Sequence, residues 1–78
     1  IKNIYNIFME SKNDKFKRLA NKRVPAALEK LELIKNLSNT NNYEYSKEEV
    51  DTIIKALTGS INEIKKSFNN KDAPKFKI

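Results

Sequence analysis

Residues 43–50 read Tyr43-Glu44-Tyr45-Ser46-Lys47-Glu48-Glu49-Val50, and this stretch decides the fold. It is a helix start spelled out in side chains. Ser46 can accept from the backbone N–H of Glu49, while the Glu49 carboxylate reaches back to the N–H of Ser46. Tyr45 then stands one residue before the cap, where it can staple onto Val50. From Lys47 the apolar residues Val50, Ile54, Leu57, Ile61, Ile64 and Phe68 alternate steps of four and three, with Ile53 beside them. That spacing predicts a helix over about 47–68 with a heptad-compatible seam of about three repeats, the lower limit for a coiled coil. Gly59 lies off the seam; it either permits close approach of another helix or is a surface glycine that weakens the helix by about 1 kcal/mol. Lys65 and Lys66 suit the negative end of the helix dipole, and Asn69 and Asn70 are fair stop residues.

Upstream of the cap, Ser38-Asn39-Thr40-Asn41-Asn42 has no hydrophobic period and is rich in residues that turn the backbone. This is the loop. Before it, Phe16, Leu19, Ala20, Val24, Ala27, Leu28, Leu31, Ile34 and Leu37 trace one face of a second helix, over about 12–37, starting near Ser11 or Asn13. Pro25 interrupts it, losing one backbone hydrogen bond and disfavouring helical geometry at Val24. The apolar phase nevertheless passes through, so a kinked helix is favoured over two coaxial pieces with Asn21 capping the second. Ile1, Ile4, Tyr5 and Phe8 repeat at helical spacing in a first segment too short to be stable alone. The expected architecture is all-α: an antiparallel hairpin of the two long helices with a short N-terminal helix, as a three-helix or dimeric bundle. Residues 1–70 would form the single helical domain and 71–78, broken by Pro74, a basic flexible tail.

Composition narrows the function by exclusion. The chain has 78 residues, no cysteine and no histidine. Disulfides and the common zinc sites are thereby removed, along with the commonest general base and the thiol nucleophile. A single glycine rules out a glycine-rich phosphate loop. No aspartate-rich calcium loop is present. Neither catalysis nor a cofactor or metal is expected; carboxylates such as Glu29 with Glu32, or Glu48 with Glu49 and Asp51, read as solvated faces and first-turn acids. No run approaches the roughly 20 apolar residues of a membrane span, and no secretory signal is visible. A cysteine-free chain fits the cytoplasm, the compartment expected. It starts at Ile1 and not at methionine, which leaves residues upstream open.

The net charge of +6 is segregated. Lys12, Lys15, Lys17, Arg18, Lys22 and Arg23 crowd one segment, and Lys65, Lys66, Lys71, Lys75 and Lys77 another, while 24–64 is acidic on balance. An antiparallel hairpin would carry both clusters to one end. Lysine-rich coding bias on solvated faces is the bland explanation. Lys15, Arg18 and Lys22 align as a phosphate-binding candidate, without interleaved aromatics or a recognition helix, so any such binding would be electrostatic. Arg23 lies at the edge of the apolar face, where it needs a carboxylate, phosphate or carbonyl, or packs its stem and reaches water. Tyr43 and Tyr45 could contact a base or partner side chain, or plug the loop end of the hairpin.

The order Phe16, Leu19-Ala20, Lys22-Arg23-Val24, Ala27-Leu28, Ile34, Asn36-Leu37-Ser38-Asn39, Asn42-Tyr43-Glu44-Tyr45-Ser46 and Val50 resembles a recurrent pattern in small bacterial and mobile-element helical proteins. It covers about residues 16–68 and implies no established activity. The resemblance implies that Arg23, Asn36, Ser38 and Tyr43 to Ser46 belong to a shared hairpin, and Pro25 departs from it. The expected function is a non-catalytic accessory or inhibitory protein, of phage or mobile-element type, that docks on a protein or nucleoprotein complex. The alternatives are a non-specific DNA or RNA binder and a structural homo-oligomer; no membrane partner is expected.

Overall fold

The computed structural model describes residues 10–70. Among them the protein is all-helical, with no strand. It divides into two compact units, one ending at Tyr43 and the other beginning at Glu44. The expected first helix, Ile1–Met9, and the expected tail, 71–78, lie outside the described residues.

In the first unit, helix α1 spans Lys12–Lys35. Ser11 is its cap: the backbone there is extended, its Oγ accepts from the Asp14 N–H at 3.0 Å, and its carbonyl accepts from the Lys15 N–H at 2.9 Å. Asp14 in the first turn and Lys35 in the last complement the dipole. Pro25 sits inside one uninterrupted helix. The two-piece alternative is therefore corrected, and so is the expectation of extended geometry at Val24, which is helical. Its physical reason is helix cooperativity: a second piece would need its own costly nucleus and two more unsatisfied ends, against the one backbone bond lost at Pro25.

The α-helix ends two residues before the expected Leu37, and a 3-10 turn over Asn36–Ser38 tightens its exit. Asn39 organises the loop that follows. Its carbonyl accepts from the N–H groups of Asn42 at 3.1 Å and Tyr43 at 2.9 Å, and its Oδ1 accepts from the Asn41 N–H at 2.9 Å. Four backbone groups are satisfied locally, so this polar run needs no packing to hold its shape.

In the second unit, helix α2 spans Lys47–Asn70. The reciprocal cap forms as read: Ser46 Oγ accepts from the Glu49 N–H at 3.1 Å, Glu49 Oε1 accepts from the Ser46 N–H at 2.8 Å, and the Val50 N–H donates to the Ser46 carbonyl at 3.1 Å. The helix continues past the expected Phe68 through Asn69 and Asn70, the last described residue.

Neither unit has a buried residue among those described. On α1 the apolar side chains remain exposed, from 37% at Leu31 to 58% at Leu28; on α2 the range runs from 38% at Ile53 to 57% at Ile61 and Phe68. Half-buried positions are few: Glu10, Leu19, Ala20, Ile34, Val50 and Leu57. A helix with a continuous apolar stripe draws most of its stability from covering that stripe.

Candidate interaction surfaces

The basic segment of α1 is arranged by helical geometry alone. Steps of three and four bring Lys15, Arg18 and Lys22 onto one face, with Lys12 at its N-terminal end. All are exposed, as are Lys17 and Arg23. Arg18 differs from its neighbours because it is already engaged. Its Nε donates to Glu10 Oε2 at 2.7 Å and its Nη2 to Glu10 Oε1 at 3.1 Å, a two-pronged pair. The Arg18 hydrogen bond holds the Glu10 carboxyl below the ordinary glutamate range, and Glu10 in turn raises Arg18. Although Arg18 is half exposed, the Glu10 side chain keeps only 14% of its surface.

That pairing alters the phosphate-binding candidate. The Glu10 carboxylate compensates the Arg18 charge and takes two of its donors, so the uncompensated charges on this face are Lys12, Lys15 and Lys22. Arg23, expected either to clamp the hairpin or to reach water, is exposed and makes no ion pair among the described residues. Lys65 and Lys66 are exposed on α2. The remaining ion pairs, Lys35 with Glu32 at 2.8 Å and Lys47 with Asp51 at 3.0 Å, are neighbours on one helix surface and contribute only a few tenths of a kcal/mol each.

Tyr43 and Tyr45 are exposed on either side of Glu44, immediately ahead of the cap, and Val50, the other half of the expected staple, is half-buried. Among the described residues no three acidic side chains converge on a metal site. No helix among them is long and apolar enough to cross a membrane. The extended features are therefore two apolar stripes and one lysine-rich face.

Sequence reasoning missed two residues. Glu10 stands eight positions before Arg18, a spacing outside the familiar helix pairings, and it precedes the helix altogether. Asn39 was one of several turn-prone residues, and nothing in composition singles it out as the residue that takes three N–H groups.

Compared with protein-family models, with curated proteins and with solved structures, the chain gives no match in any of the three.

Proposed function

We propose that this chain is a non-catalytic association protein of phage or mobile-element type that docks on a larger macromolecular partner. The observation that carries this reading is the exposure of the apolar stripes on α1 and α2. Burying a side chain such as Ile61 or Phe68 contributes roughly 1.5–3 kcal/mol, and stripes of this length leave many such contributions to be collected by docking. In this reading the two helices close into an antiparallel hairpin about the Asn39 turn. Closure brings Lys12 to Arg23 and Lys65 with Lys66 to one end, and the remaining apolar surface meets the partner.

Non-specific nucleic-acid binding is the second reading, favoured by the exposed Lys12, Lys15, Lys17, Lys22 and Arg23, none of which has an ion pair among the described residues. Capture from host extract with the full chain separates the two. Partner recovery that survives nuclease and is lost in Ile61→Glu supports docking through the apolar surface. Recovery abolished by nuclease, by Lys15→Glu with Lys22→Glu, and by moderate salt would replace it with the electrostatic reading.

A further inference from the structure

The seam of α2 is complementary to itself when reversed. Val50, Leu57 and Ile64 form one heptad row and Ile54, Ile61 and Phe68 the other. All six lie on a single uninterrupted helix. We propose that α2 pairs antiparallel with α2 of a second copy of the chain, with the two-fold axis at the level of Gly59. The proposal rests on the reading of the α2 stripe as an association surface and goes beyond it: a second copy of this chain, distinct from the larger partner, occupies that stripe.

In that register each residue of one row faces one of the other: Val50 meets Phe68 of the second copy, Ile54 meets Ile64, and Leu57 meets Ile61. The layers then carry similar total volume, because the smallest seam residue stands opposite the largest. A parallel pair would stack Phe68 on Phe68 and Val50 on Val50, one layer overfilled and another left open.

Charge points the same way. Asp51 and Lys65 occupy the same flanking row, and the antiparallel register sets Asp51 of one copy beside Lys65 of the other, twice. It also lays the acidic first turn, Glu48 and Glu49, alongside the region of Lys65 and Lys66. The helix dipoles oppose, which is favourable. A parallel pair would gather the acids at one end and the lysines at the other. Within one chain Asp51 is held by Lys47 at 3.0 Å, but that exposed neighbour pair is weak enough to yield.

Gly59 fits its place in this arrangement. It lies on the far side of α2 from the seam, and a Cβ added there meets nothing within 4 Å. The seam spans about three heptads, little for a lone helix pair. If the hairpin proposed above closes, α1 of each copy flanks the pair and the dimer becomes an all-antiparallel four-helix bundle.

The chain has no cysteine, so a single introduced thiol reports the axis cleanly. Ser60 stands next to Ser60 of the second copy across the axis, whereas Ser67 stands opposite Ile53. Ser60→Cys in the full chain should form a covalent dimer on mild oxidation and Ser67→Cys should not. Asp51→Lys and Lys65→Asp should each weaken dimerisation by roughly fivefold, about the effect of two exposed ion pairs, and the double exchange should restore it. Cross-linking at Ser67 but not at Ser60, or failure of the exchange to restore, overturns the proposal. A helical chain that stays monomeric at high micromolar concentration while Ile61→Glu still abolishes partner capture overturns self-pairing and leaves the association reading standing. Capture indifferent to Ile61→Glu would instead defeat that reading.

Discussion

Replacing Ser46 by alanine tests the cap that starts α2. The substitution removes the Oγ that accepts from the Glu49 N–H at 3.1 Å and leaves the reciprocal bond, Glu49 Oε1 to the Ser46 N–H at 2.8 Å, without its counterpart. Both bonds are exposed, so water can replace the lost acceptor and the full cost of a buried orphan does not apply. The expected loss is that of an ordinary N-cap, about 1 kcal/mol, or a roughly fivefold rise in the unfolded population of the helix. Glu49→Ala should cost somewhat less. The double variant should lose less than the sum, because each bond holds the other's geometry. Ser46→Asp restores an acceptor and should stay within a few tenths of a kcal/mol of the original. Urea titration followed by the helical circular dichroism signal reads all four. A Ser46→Ala midpoint unchanged to within about 0.3 kcal/mol, with additive behaviour in the double variant, would refute the reciprocal cap as the device that sets this helix start.

Three further outcomes follow from single positions. Gly59→Ala should stabilise α2 by about 1 kcal/mol, since a Cβ there finds open space; a loss on thermal unfolding would show that another element approaches the position. Pro25→Ala restores the N–H that can donate to the Asn21 carbonyl and should raise α1 stability by up to about 3 kcal/mol, read by slowed amide exchange across residues 21–25. Glu10 titrates below the ordinary glutamate range because Arg18 donates to it. Its contribution is full above the unfolded value and is lost as pH falls through the lowered folded one. Arg18→Ala should return the Glu10 carboxyl toward the usual range in an NMR titration; an unmoved titration would mean that Arg18 is not its partner.

The parts of the structure governed by local chemistry were legible in sequence. Ser46 with Glu49, Ser11 ahead of α1 and the polar run at 38–42 each carry their own hydrogen-bond partners within a few residues. Their pattern could therefore be read without knowing the tertiary packing. What was left open or missed is what no local rule decides. Pro25 left a kinked helix and two coaxial pieces in play, and the structure has the single helix that the unbroken apolar phase favoured. The Arg18–Glu10 pair spans the helix boundary at a spacing no periodic pattern marks. The stripes themselves were visible in the sequence; their partner is not written there, because apolar periodicity records that a face is to be covered and leaves open by what.

Sedimentation equilibrium of the full chain, run from low to high micromolar beside Ile61→Glu, tests most directly the claim that the α2 stripe pairs with α2 of a second copy. The account predicts a mass rising with concentration from 9.1 kDa toward twice that value for the original chain, and a variant that stays at the lower mass. A single 9.1 kDa species at every concentration with full helical content, indistinguishable between the two proteins, would contradict it.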